Sequence, residues 1–291
     1  MGVRYIGLPR RDDKPAPLRQ NPLMEDVTRL IEYYKSPLGR ISRALVREPI
    51  IDMAGNVRGK RVLGLGFATP YLRFALGPAE RVLAFMPARQ GASAWPREGP
   101  SHTVLCDPLE MPLTDAAIDL IIAVHAFEHI GDASELMREL WRIAAPNARL
   151  IVVVPRRRGI WAQRDNTPFG SGNPFSKSQL EQLLRDHSFT PEVWRDALFL
   201  PPAHGALMLR WARGFERAGR LLGPALAGVT VVRARKELFP AVPRRQRRER
   251  YVRIPALAPA AATIQMPAIR LDRRFDEAGS ERGAPGLTSS T

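Results

Sequence analysis

The chain has 291 residues, 45% of them hydrophobic, long enough for one large folded domain or two small ones and apolar enough to build a core. Its formal charge is +15 at pH 7, but only five of the 44 basic residues are lysine, the skew a GC-rich coding sequence produces, so the charge does not by itself require nucleic acid or an anionic membrane. With Cys106 as the sole cysteine, an intrachain disulfide and a cysteine-based zinc site are both excluded, and a reducing, cytoplasmic location is expected.

In chain order, Met1 to Ile6 shows no apolar run of the kind a secretory leader needs, and Ile6 stands where a myristoylation signal requires Ser or Thr. Residues 1–21 are polar and proline-bearing and read as a flexible lead-in. After Asn21-Pro22, Leu23, Val27, Leu30, Ile31 and Tyr34 recur at helical spacing. Ser36-Pro37 then caps and starts a second helix with Leu38, Ile41 and Leu45 on one face. Preceding the first strand, these helices (22–55) are placed to lie as a lid over a pocket.

Short apolar strands follow at Arg61–Leu65, Arg81–Phe85, Thr103–Cys106, Asp119–Val124 and Leu150–Val154. One helix starts at Asp132 with Glu135 three residues on; another starts at Ser176 with Gln179. Glu192–Trp194 and Val229–Val232 read as further strands, with an amphipathic helix carrying Leu207, Trp211, Phe215, Ala218 and Leu222 between them. The longest apolar runs are too short to span a bilayer. Alternation of this kind argues for an α/β fold: a Rossmann-like, doubly wound, mostly parallel sheet of seven strands with N-terminal helices. Residues 241–291, rich in Arg, Pro and Ala, read as a disordered basic tail.

Ligands of such sheets bind outside the carboxyl ends of the strands at the point where strand order reverses. Three strand ends carry suggestive residues. Gly64-Leu65-Gly66-Phe67-Ala68-Thr69-Pro70 is a turn of small residues that lets a ligand approach the backbone, with a helix N-terminus behind it. Asp107 follows the third strand and can accept from an amino or hydroxyl group, or act as a turn former before Pro108. His125-Ala126-Phe127-Glu128-His129 follows the fourth strand. Its His-x-x-Glu-His spacing also matches an inverted zinc-protease pattern, but a histidine that directly follows a strand would diverge from its partner, so no metal is expected. A nicotinamide dehydrogenase is disfavoured, because the third fingerprint glycine and the ribose-binding acid are both missing.

The stretch Cys106-Asp107-Pro108-Leu109-Glu110-Met111-Pro112, followed by Ile118-Asp119-Leu120-Ile121-Ile122 and Ala126-Phe127-Glu128-His129-Ile130, resembles the class I S-adenosylmethionine-dependent methyltransferases, in particular their small-molecule branch. The resemblance covers roughly residues 55–200 and marks 22–240 as one methyltransferase-like domain. It implies S-adenosyl-L-methionine as cofactor and an unidentified methyl acceptor, a small molecule. It further implies that Gly64, Gly66 and Ala68 line the loop beside the methionine part, that Met86 lies near the ribose and adenine, and that Asp107 bonds the adenine amino group. Leu109 would pack on the ring, His125 would flank the sulfonium, and Glu128 and His129 would orient the helix start.

The chain departs from the family at two acids: Gly64 stands where one is usual, and Phe85-Met86-Pro87 offers none for the ribose. Each lost charge-assisted hydrogen bond costs about 1.5–3 kcal/mol of ligand binding. Two alternatives follow: a non-catalytic binding or assembly protein of the same fold, and an RNA-associated methyltransferase using Arg156-Arg157-Arg158 and the tail, which the absence of an Asn-Pro-Pro-Tyr-type motif disfavours. Trp161, Arg164, Asp165, Thr167, Pro168, Phe169 and Gly170 form the expected substrate-side loop, with Arg164 or Asp165 as contacts.

Overall fold

The structure, a computed structural model, describes residues 26–162, 167–202, 211–223 and 226–238. The expected lead-in (1–21) and tail (241–291) lie outside the described residues, as do Arg164, Asp165 and Leu207. The elements run α1 (Val27–Lys35), α2 (Pro37–Ala54), β1 (Arg61–Gly66), α3 (Thr69–Leu72), β2 (Arg81–Pro87), β3 (Thr103–Cys106) and β4 (Ile118–Val124). They continue with α4 (Ala133–Ile143), β5 (Ala144–Pro155), α5 (Lys177–Asp186), β6 (Phe189–Ala197), α6 (Ala212–Leu222) and β7 (Val229–Lys236).

The seven strands form one sheet in the order β3-β2-β1-β4-β5-β7-β6. All pairs are parallel except those of β7, which runs antiparallel to both β5 and β6. Strand order reverses between β1 and β4, so the crevice above that pair is where this topology binds a ligand. β1 and β4 are buried along nearly their whole length, which is why they read as continuous apolar runs rather than alternating ones.

The two faces are covered unequally. On one, α4 and α5 bring Leu136, Leu140, Ile143, Leu180 and Leu184 onto the sheet. Ser176 and Gln179 form a complete capping box at the start of α5, whereas at α4 Asp132 accepts from Ser134 N. On the other face, α1 and α2 supply Leu30, Tyr34, Leu38, Leu45, Val46 and Ile50. They stand in for a connection that is short here: α3 is a four-residue turn followed by a 3-10 turn, Arg73–Ala75. The helix expected behind the Gly66 turn therefore ends after about one turn. On α6, Ala212, Glu216 and Gly219 face inward and Trp211 and Phe215 remain exposed. Glu216 accepts from Leu198 N and Phe199 N, and a Cβ on Gly219 would fall 2.3 Å from Phe199 Cβ. Hydrogen bonding and close approach, not apolar periodicity, set that face.

Candidate cofactor site

A cavity of about 360 Å³ opens at the carboxyl ends of β2, β3 and β4. Asp107, Leu109 and His125 line it together; Gly64, Gly66, Ala68 and Met86 are not among its lining residues. Each absence has a packing reason. A Cβ on Gly64 would lie 2.4 Å from Leu72 Cδ1 and 2.9 Å from Ala68 Cβ, so the space a side chain would need at this position is filled with hydrocarbon. Gly66 adopts φ +74, and its Cβ would lie 2.4 Å from Val124 O, because the chain folds back over β4, where Phe67 N donates to Val124 O at 2.8 Å. Ala68 and Met86 are buried in the core on the α1–α2 face.

Asp107 closes its own turn, Oδ1 accepting from Leu109 N at 2.9 Å. The loop that follows is pinned to α4. Arg142 donates to Glu139, to Asp115 and to the carbonyls of Met111 and Leu113, while Glu139 Oε1 accepts from Met111 N at 2.7 Å. These carboxylates hold the Arg142 guanidinium pKa above its ordinary value. Asp107 and Leu109 thus stand on a loop anchored by three guanidinium contacts and by the Met111 N–Glu139 hydrogen bond.

At the end of β4, His125 takes a left-handed backbone, φ 51, and is 1% exposed. Its Nδ1 lies 3.1 Å from Glu128 Oε1 and its Nε2 lies 2.8 Å from the hydroxyl of Tyr34 on α1, which is in turn 2.9 Å from the Tyr71 hydroxyl. A carboxylate only accepts, so Nδ1 carries the proton shared with Glu128, and Nε2 faces the Tyr34 hydroxyl. Burial raises the Tyr71 hydroxyl pKa, keeping it a neutral donor. Glu128, expected at a helix start, instead orients His125. Non-glycine residues with positive φ are costly and cluster at functional sites.

Sequence reasoning missed several residues here. Gln90, 4% exposed, lines the cavity and gives its amide NH₂ to His125 O at 3.4 Å. The carbonyl end of that amide, Oε1, has no partner among the described residues, and the same holds for Glu128 Oε2 and both ring nitrogens of His129. A buried polar atom without a partner is uncommon and marks a place for a ligand or water. No local pattern flags Gln90, whereas Tyr34 was already visible on the inner stripe of α1.

The expected substrate loop is core where it is described: Trp161, Thr167, Pro168 and Phe169 are buried, and Trp161 Nε1 donates to Leu200 O at 2.7 Å. Arg156 pairs with Asp196 at 3.1 Å. Phe127–His129 forms a 3-10 turn, and among the described residues no three His, Cys, Asp or Glu side chains gather as a metal site requires. No helix among them is long and apolar enough to cross a membrane.

Residues 63–152, from β1 into β5, match the family model of the methyltransferase domain. Ajmaline N-methyltransferase of Rauvolfia serpentina is 28% identical over 123 residues, 40% of this chain and 39% of that protein. Demethylmenaquinone methyltransferase of Thermus thermophilus is 27% identical over 197 residues, 64% of this chain and 87% of that protein. The match to the ajmaline enzyme thus spans about two fifths of that relative's length. A solved S-adenosylmethionine-dependent methyltransferase from Thermotoga maritima superposes with a TM-score of 0.51 at 15% identity, covering 72% of this chain and 96% of that one. Over residues 63–152 the chain is thus similar to the methyltransferase domain, and its strand order and superposition give it the Rossmann-like fold of such enzymes.

Proposed function

We propose that the protein is an S-adenosylmethionine-dependent methyltransferase acting on a small-molecule acceptor. The observation that carries this reading is the cavity at the β2–β4 ends, where Asp107 and Leu109 stand on one rim, His125 on another, and Gln90 Oε1 and the His129 ring nitrogens have no partner among the described residues. The donor set suits the cofactor. Asp107 is the acceptor for an exocyclic amine, Leu109 is an apolar surface for a purine, and Gln90 Oε1 is an acceptor for hydroxyl groups in place of the missing acid. Three carboxylates, Asp107, Asp132 and Glu135, against Arg89 give the cavity lining a formal charge of −2, complementary to a cationic sulfonium compound. When bound, the cofactor supplies an electrophilic methyl group. The chain's own residues supply alignment, which can account for much of the rate in a group transfer.

Calorimetric titration with S-adenosylmethionine and S-adenosylhomocysteine tests the reading. Binding is expected in wild type and about ten- to a hundredfold weaker in Asp107→Ala, the loss of one charge-assisted hydrogen bond. No heat and no thermal shift at millimolar ligand would sink it. That outcome would favour the second reading, a non-catalytic binding protein, which the hydrocarbon-filled space at Gly64 supports.

A further inference from the structure

A second cavity, of about 400 Å³, lies between α1, α2, the α3 turn and the 93–97 loop. Four exposed cationic residues line it from four separate segments: Lys35 from α1, Arg43 from α2, Arg73 from the 3-10 turn and Arg97 from the loop. Among the described residues no acid lines it. Its apolar walls are aromatic, with Tyr34 and Phe67 stacked at 5.6 Å between ring centres and Trp95 also in the lining. Glu98 approaches Arg73 at 3.8 Å, but both side chains are about three-quarters exposed or more, so water screens that pair.

A basic cleft on a chain of charge +15 could reflect composition alone. The cofactor cavity of the same chain answers this, since its lining carries −2 while this one carries +4. Charge is therefore sorted between neighbouring cavities rather than spread evenly. The buried Tyr34–His125 pair stands between the two. The Tyr34 ring lines the basic cleft, and its hydroxyl bonds Nε2 of His125, which lines the cofactor cavity. Arg43 also acts electrostatically on the buried Tyr71 hydroxyl, placing one of the four cations beside that contact.

We propose that this cleft is a binding site for a small molecule with a flat apolar body and an anionic group, a carboxylate or a phosphate. The proposal rests on the cleft alone and stands apart from the methyltransferase reading. Aromatic rings give a planar body large contact area, and Arg forks bind carboxylate and phosphate in two-point geometry. Like charges drawn together repel one another, and an anion between them removes that repulsion.

Phenyl phosphate, benzoate, phenol and benzylamine, titrated calorimetrically into the full chain, share one ring and differ in charge. The two anions are expected to bind at least about tenfold more tightly than phenol or benzylamine, and their ratio separates phosphate from carboxylate recognition. The double variant Arg43→Gln/Arg73→Gln should weaken the anions at least about tenfold, while Arg40→Ala, exposed on α2 and outside the cleft, should leave them within about twofold. Equal binding of phenol, no anion binding at about 10 mM, an unaffected double variant, or an equal loss in Arg40→Ala would each overturn the proposal. S-adenosylhomocysteine titrated into every variant reports whether the cofactor cavity is intact. Anion selectivity without any S-adenosylhomocysteine binding overturns the enzyme reading and leaves the cleft standing; the reverse result overturns the cleft.

Discussion

Gly66 and Gly59 both sit at positive φ, +74 and +65, but in different surroundings. A Cβ on Gly59 would meet nothing within 4 Å, whereas one on Gly66 would lie 2.4 Å from Val124 O and 2.8 Å from His125 O. Gly59→Ala should therefore cost only the backbone strain, about 1 kcal/mol. Gly66→Ala should add a backbone clash and cost about 2–4 kcal/mol, read as a lower urea midpoint at unchanged slope. Equal losses in the two variants would show that the fold-back onto β4 contributes nothing. His125, next to that contact, keeps its own positive φ because Glu128, Tyr34 and the Gln90 amide hold its ring and carbonyl from three sides. The same close approach ties Gly66 to a cavity it does not line: it brings the β1 turn down onto the end of β4, beside the wall that His125 presents.

Elements with a strong internal signal were legible from sequence. All seven strands stand where they are expected, although β5 begins six residues before Leu150, and the Ser36-Pro37 and Ser176–Gln179 starts cap as their chemistry dictates. What could not be read was which elements would be cut short and which would take over. The segment after β1 keeps one helical turn, and α2 covers the face instead, a tertiary choice with no local signature. The inward face of α6 was equally hidden, since Glu216 faces inward for its two backbone partners and leaves Trp211 outside. The anchoring of the Asp107 loop to α4 belongs to the same class, for Arg142 and Met111 are thirty-one residues apart. Arg142→Ala should cost about 2–4 kcal/mol, because it strips Glu139, about 9% exposed, and two loop carbonyls of their cation. Arg142→Lys should recover little of it, as one ammonium cannot reach the partners a guanidinium fork spans. Urea unfolding measures both, and full recovery by lysine would show that charge alone anchors the loop.

At the scale of the whole molecule, the candidate site was half legible. Asp107, Leu109 and His125 meet in one cavity because each follows a strand of the parallel half of the sheet, whose carboxyl ends lie on one edge, and strand ends can be counted along a sequence. Gln90, Tyr34 and the basic cleft depend on how α1 seats against the sheet, which no spacing rule reaches. The single thiol offers a way to watch this assembly open. Cys106 ends β3, is 4% exposed, and burial pushes its thiol up to about 12, so at pH 8 the native side chain is almost wholly protonated as well as shielded. β3 is four residues long, stands at the sheet edge and pairs with β2 alone. Its opening should therefore be local and come before global unfolding. Labelling of Cys106 with a thiol reagent is expected to be at least about a hundredfold slower than in the unfolded chain, with a weak dependence on urea at low concentration. Saturating S-adenosylhomocysteine should slow it further, because a ligand held by the Asp107–Leu109 turn stabilises the closed state by mass action, about 2.7 kcal/mol at a hundredfold excess over its Kd. Labelling that follows the full urea dependence of global unfolding would show that β3 opens with the rest of the sheet, and labelling indifferent to bound S-adenosylhomocysteine would place that ligand away from the Asp107 turn.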